Sequence, residues 1–150
     1  MTYISRQQFY DDPDLYDKVL YSDLPYEADY FVNKVKKYKQ VLYLGVGSGR
    51  IMKKLYDVNK NIVGIELSDK MCQKAKSIMP DAQIIHADAL TAELNCEFDL
   101  VLAPYEFLNH FNENSLDILF CNVCKYLKNR GLFVVQVKNP FECVGKVSSA

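Results

Sequence analysis

Proline and glycine are sparse in this chain, five and six residues in 150, and no stretch concentrates them. That scarcity, with no internal repeat or low-complexity tract, leaves no flexible linker on which to divide the chain into two domains. Histidine is scarcer still. His86 and His110 are the only two, so the C-x-x-C of Cys121 and Cys124 lacks the partners that a zinc or redox site would need, and no metal ligand set is expected. An excess of one charge is missing as well, since 18 basic residues stand against 19 acidic ones. That balance argues against duplex nucleic acid or an anionic membrane as the main partner. No apolar run approaches the roughly 18 residues of a spanning helix. The opening MTYISRQQFYDDPDLYDKVL carries charges throughout and has no apolar h-region, so a secretory signal is not expected. The five cysteines are odd in number and scattered among apolar segments, the usage of buried thiols in a reducing compartment such as the cytoplasm.

What is present is an ordinary globular composition, 49% hydrophobic and 25% charged, on a chain the size of one domain. Residues 40–138 alternate between short apolar runs and helical periodicity. QVLYLG, NIVGIE, AQIIHA, FDLVLA and LFVVQV read as five buried strands. Between them Ile51, Met52, Leu55 and Tyr56 mark one helix. Met71, Cys72, Ala75, Ile78 and Met79 mark a second, capped by Ser68. Leu116, Leu119, Phe120, Val123 and Leu127 mark a third, closed by Gly131. Apolar strands separated by helices predict an α/β fold, a doubly wound and mainly parallel sheet of about five strands with helices on both faces. Residues 1–39 differ. They hold seven of the eleven tyrosines and an amphipathic helix over Ala28, Phe31, Val32, Val35 and Tyr38, with Lys34, Lys36, Lys37 and Lys39 on its wet side. They are expected to form a helical cap on the 40–138 core, with 139–150 as a tail.

Sheets of this kind bind ligands at the carboxyl ends of their strands. The stretch LGVGSGR carries the strongest local signal, because a strand ending in glycines and opening a helix lets an anionic or polar ligand approach the backbone. A dinucleotide fingerprint would place its third glycine where Arg50 stands, which speaks against a nicotinamide-dependent oxidoreductase, and no Gly-Lys-Ser/Thr follows to make a P-loop.

Taken in order, LGVGSG, GIELS, IIHADAL and FDLVLAPYEFLNHF resemble the successive motifs of class I S-adenosylmethionine-dependent methyltransferases of the small-molecule type. The resemblance covers roughly residues 40–138 and implies the strand order 3-2-1-4-5 for a single domain over 1–150. It implies that Gly45, Gly47 and Gly49 pass beneath the methionine part of S-adenosylmethionine, the product being S-adenosylhomocysteine. Glu66 would accept hydrogen bonds from the ribose hydroxyls and Leu67 would pack on the adenine. Asp88 would accept from the adenine amino group between Ala87 and Ala89, and Ala103 with Pro104 would lie near the sulfonium. A carboxylate suits the two donors of a ribose diol on chemical grounds alone. Tyr43 departs from the family, which usually carries Asp or Glu two residues before the first glycine. A tyrosine supplies no negative charge near neutral pH. Substitution by another acid, weaker cofactor binding and a decayed site all remain open.

The resemblance also implies that the tyrosine-rich start closes over the cofactor, with Tyr16 and Tyr21 offering aromatic faces to the sulfonium. His110 is the candidate general base. Tyr105, Glu106 and Asn109 share its segment and could orient a polar acceptor. The run Leu102-Ala103-Pro104-Tyr105 lacks the polar group with which amino-methylating nucleic-acid enzymes hold a base, so the expected acceptor is a small-molecule amine or hydroxyl. A non-catalytic cofactor-binding scaffold is the rival reading. The family's sheet continues with a helix and two further strands, which the twelve residues after Lys138 are too few to form. The expectation is therefore a fragment or a shortened version, with an open edge at the fifth strand through which two copies could pair.

Overall fold

The computed structural model describes residues 10–20, 27–105 and 107–137. Helices α1 (Pro13–Leu20) and α2 (Glu27–Val35) precede β1 (Val41–Leu44). The chain continues through α3 (Arg50–Val58), β2 (Ile62–Glu66), α4 (Asp69–Ile78), β3 (Gln83–His86) and β4 (Phe98–Ala103). A 3-10 turn (Phe107–His110), α5 (Glu113–Tyr126) and β5 (Leu127–Val135) complete it. All neighbouring strands run parallel in the order β3-β2-β1-β4-β5, the order the motifs implied. The direction of winding reverses beside β1, so the crevice beyond its carboxyl end is where such a sheet admits a ligand.

Strand periodicity sorts the core into two layers. Val41, Tyr43, Leu100 and Leu102 face the side covered by α2, α3 and α4. Leu42, Leu44, Val101 and Ala103 face α5, where Leu119, Val123 and Tyr126 meet them. On α2, Ala28, Phe31 and Val35 are buried at helical spacing, as expected, but the helix ends at Val35, so Tyr38 and the lysines Lys36, Lys37 and Lys39 lie beyond it. The Asn59 side-chain amide donates to the carbonyls of Val35 and Tyr38 at 3.1 and 2.8 Å, which fixes the end of α2 against the end of α3. Helix starts follow ordinary capping chemistry. Asp12 accepts from the Leu15 N–H at 3.0 Å ahead of Pro13, Ser68 accepts from Met71 at 3.3 Å, and Asn112 accepts from Ser115 at 2.9 Å.

Several expectations need correction. Helix α5 ends at Tyr126, so Leu127 belongs to β5 and pairs with Phe98, and Gly131 closes no helix. The register jumps from Phe98↔Leu127 to Leu100↔Leu132. The extra residues fold within the ladder, with Arg130 at φ 66°. The Val123-to-Leu127 spacing fits a helix equally well, and the bulge decides against it. Ile78 and Phe120 are 38% and 41% exposed and stand off their buried helix faces, Phe120 reaching Phe133 with ring centroids 6.2 Å apart. Only Cys72 is a buried thiol among the described cysteines, since Cys96, Cys121 and Cys124 are exposed. Among the described residues no helix is long and apolar enough to cross a membrane.

Gly49 takes φ +88°, and a Cβ there would lie 2.8 Å from the Ala75 Cβ on α4. The Gly49→Ala change therefore combines left-handed strain with a backbone-level clash. It should destabilise the domain by about 2–3 kcal/mol in urea unfolding. At the opposite end of the sheet, Asp99 accepts from Lys128 Nζ at 3.0 Å and from the Gln40 N–H at 2.8 Å. Lys128 first, then the Gln40 N–H, hold its carboxyl below the ordinary range. A lowered native pKa gives stability that is present above the unfolded value and lost as pH falls through the folded one. Stability curves below the ordinary carboxylate range should accordingly be flatter for Asp99→Asn than for the parent.

Candidate functional site

Three glycines with positive φ, Gly45, Gly47 and Gly49, carry the chain from β1 into α3. The turn is tied to the neighbouring strand, because the N–H groups of Gly45 and Val46 both donate to the Ile65 carbonyl, at 2.9 and 3.1 Å. Beside it, Glu66 ends β2. Its Oε2 accepts from the Gly47 N–H at 2.7 Å and its Oε1 from the Ser68 N–H at 2.8 Å. Each oxygen is held by one backbone donor, and an ionised carboxylate retains further lone pairs for a ligand. Asp88 follows β3, with its Oδ1 accepting from the Leu90 N–H at 2.8 Å. Helix α5 pins this loop from below. Buried Asn122 donates to the Leu90 carbonyl at 2.8 Å and to that of Ala89 at 3.3 Å, and the Tyr126 hydroxyl donates to the Ala92 carbonyl. Burial, with the Glu93 charge adding to it, pushes the Tyr126 phenol up, so that hydroxyl stays a donor at neutral pH.

These elements surround a cavity of about 400 Å³, whose wall runs from the glycine loop past Glu66 and Asp88 to Pro104, Tyr105, Phe107, His110 and Phe111. The described N-terminal residues close one side of it. Tyr10 and Tyr16 line the cavity with ring centroids 5.4 Å apart, and the Tyr10 hydroxyl lies 3.3 Å from His110 Nε2. Helix α1 is fastened by Asp14, 2.6 Å from Lys74 Nζ, and by Asp17, whose Oδ1 accepts from the Ser48 hydroxyl at 2.5 Å. Beneath the site, burial and then the Glu66 charge push the Cys72 thiol up to about 11. A thiol so shifted stays protonated and is no nucleophile.

Residues 41–131 match the family described as "Methyltransferase domain". The chain belongs to that family. An uncharacterised methyltransferase of Bacillus mycoides is 29% identical over 100 residues, which cover 66% of this chain and 47% of that protein. Another from Anoxybacillus flavithermus is 40% identical over 68 residues, 45% of this chain and 32% of its own. The chain thus spans about half, or less, of the length of these relatives. Among solved structures, an S-adenosylmethionine-dependent methyltransferase from Clostridium acetobutylicum superposes with a TM-score of 0.70 at 23% identity. That match covers 81% of this chain and 54% of the other. The sugar N-methyltransferase KedS8 from a Streptoalloteichus species gives 0.74 at 19%, over 90% and 57%. The glycopeptide N-methyltransferase MtfA, complexed with S-adenosylmethionine, gives 0.68 at 21%, over 77% and 55%. These structures share the fold.

Against this methyltransferase domain the expected residues can be placed one by one. Gly45, Gly47, Glu66, Leu67, Asp88, Ala89, Tyr16, Tyr105 and His110 all line the cavity. Leu67 is 66% exposed at its rim. Gly49 packs on α4 and shapes the loop from behind, and Ala103 is fully buried beneath the wall that Pro104 presents. Asn109 is exposed and lies outside the cavity lining, while Tyr21, Glu106 and the 139–150 tail lie outside the described residues. Sequence reasoning passed over Tyr10, Asp17, Phe107 and Ser115, and treated Arg50 only as a missing glycine. The aromatic richness of residues 3–38 was the one signal that pointed to Tyr10. Removing the Asn122 amide leaves the loop carbonyls of Ala89 and Leu90 without their donor. Asn122→Ala should cost about 1–3 kcal/mol in urea unfolding and speed amide exchange across 88–92.

Proposed function

We propose that this chain binds S-adenosylmethionine and takes part in methyl transfer to a small-molecule amine or hydroxyl. The observation that carries the reading is the Glu66 carboxylate, held at 2.7 and 2.8 Å by the Gly47 and Ser68 N–H groups on the cavity wall. A carboxylate fixed in that way suits the paired donors of a ribose. One strand over, Asp88 has one oxygen committed to Leu90 and the other without a partner among the described residues, which suits an adenine amino group. A Cβ at Gly47 would meet nothing within 4 Å, so the loop leaves open space beside the backbone for the methionine chain. The residues present therefore fit this cofactor.

When bound, the cofactor supplies a methyl group on a positively charged sulfur, which a nucleophile displaces in line. The chain's own contribution is placement and exclusion of water. Pro104, Tyr105, Phe107 and Phe111 give an aromatic and apolar wall beyond β4, and Tyr10 and Tyr16 cover the opposite side. Tyr105 keeps its place through a backbone at φ 52° whose N–H donates to Gln136 Oε1 at 3.1 Å. His110 is the group on this wall able to take a proton from an acceptor amine or hydroxyl, and the Tyr10 hydroxyl at 3.3 Å orients its ring. The structural likeness to sugar and glycopeptide N-methyltransferases is compatible with an amine acceptor. A cofactor-binding domain without turnover is the second reading, favoured by buried Tyr43 at the position where the family carries an acid.

Calorimetric titration with S-adenosylhomocysteine should give binding that falls at least tenfold in Glu66→Ala, with no binding of NAD. Transfer of a labelled methyl group to a panel of small amines and alcohols, lost in His110→Ala while cofactor binding persists, would support turnover. Binding without transfer by a chain extended to the relatives' length would support the scaffold reading.

A further inference from the structure

The cavity wall presents two carboxylates among the described residues, Glu66 and Asp88, and the proposed reading commits both to the adenosine end of the cofactor. The other end carries a cationic α-ammonium, and the position that would face it with an acid holds Tyr43. We propose that Asp17, on the N-terminal helix, is the acid that serves the methionine end, acting through the Ser48 hydroxyl. This rests on the reading of the cavity as an S-adenosylmethionine site.

The inference follows from donor and acceptor accounting at Ser48. This residue lies between Gly47 and Gly49 in the loop, is 4% exposed, and lines the cavity. A serine hydroxyl has one proton to donate and two lone pairs. Here the proton is committed to Asp17 Oδ1 at 2.5 Å, so toward any other partner Ser48 can only accept. An ammonium group can only donate. The pairing is therefore matched in kind, and the charge on Asp17 polarises the hydroxyl so that its lone pairs attract a cation more strongly than those of an isolated serine. Lys74 on α4 pairs with Asp14 at 2.6 Å, whereas the Asp17 side chain makes its hydrogen bond to the loop. Tyr16, the preceding residue, lines the cavity, so one turn of α1 delivers both an aromatic wall and the acid. Asp17 is a positioning residue in this scheme. The missing acid of β1 is replaced from another element, and full cofactor affinity requires α1 to be docked.

The test compares S-adenosylhomocysteine with its desamino analogue, in which hydrogen replaces the α-amino group, by calorimetry on the full chain. The parent should prefer S-adenosylhomocysteine by about tenfold. Asp17→Asn keeps the shape and one acceptor oxygen for Ser48. It should lose about tenfold for S-adenosylhomocysteine and change less than twofold for the analogue. Ser48→Ala should abolish the same preference, and the double variant should lose nothing more. Equal losses for both ligands in Asp17→Asn would mean that Asp17 merely docks α1, and an unchanged preference would mean that its charge is not felt; either overturns the assignment. A preference lost in Tyr43→Phe but kept in Asp17→Asn would give the role to the tyrosine and overturn it equally. If the parent binds neither ligand, the cofactor reading itself fails, a result distinct from all of these. Melting curves of the unliganded variants serve as the control for folding.

Discussion

Two backbone N–H groups, those of Gly47 and Ser68, converge on the Glu66 carboxylate at 2.7 and 2.8 Å, and this convergence joins the pieces of the site. One donor belongs to the turn after β1 and the other to the cap of α4, so a single side chain ties two loops at the carboxyl edge of the sheet. The same residue links β3, since its carbonyl accepts from the Ala87 N–H at 3.0 Å. Three successive strand ends are therefore in register around one carboxylate. Charge-assisted bonds of this kind are stronger than neutral ones. They also leave the carboxylate oriented before any ligand arrives, which reduces the ordering cost of binding.

The sheet makes that convergence possible, and the packing of its two faces makes it stiff. On one side the turn that opens α3 lies so close to α4 that position 49 tolerates no side chain against Ala75. On the other, Asn122 reaches from the buried face of α5 to the carbonyls beneath Asp88. A buried amide with both bonds made is specific as well as stabilising, because a shifted helix would leave it unsatisfied. The Glu66 and Asp88 side of the cavity is thus built on rigid elements, whereas the side opposite is closed by α1 and the residues just before it. Tyr10, Tyr16 and Asp17 all come from this helix or the residues just before it, and they touch His110, the cavity and the glycine loop in turn.

Much of this was legible in the sequence because it depends on local chemistry. The five strands, the capping role of Ser68 and the placing of Glu66 and Asp88 at strand ends all follow from periodicity and residue type over short windows, while the strand order came from the resemblance of the successive motifs to the methyltransferase family. The helix-to-strand boundary at Leu127 was not legible, because an apolar residue four places after Val123 serves both structures and only pairing with Phe98 selects one. Exposure of Cys121 and Cys124 was hidden for a similar reason, since the composition of a helix does not say which of its faces meets the sheet.

The sequence by itself determined a parallel α/β sheet with a glycine turn and two acids at its carboxyl edge, because strand alternation, glycine dihedrals and capping are properties of neighbouring residues. Only the tertiary structure decided which distant residues meet around the cavity. Asp17 meets Ser48 across 31 positions and Tyr10 meets His110 across 100, contacts set by the docking of one helix on the folded sheet. Such pairings leave no periodic trace, since their partners are chosen by the packing of whole elements and not by the residues beside them.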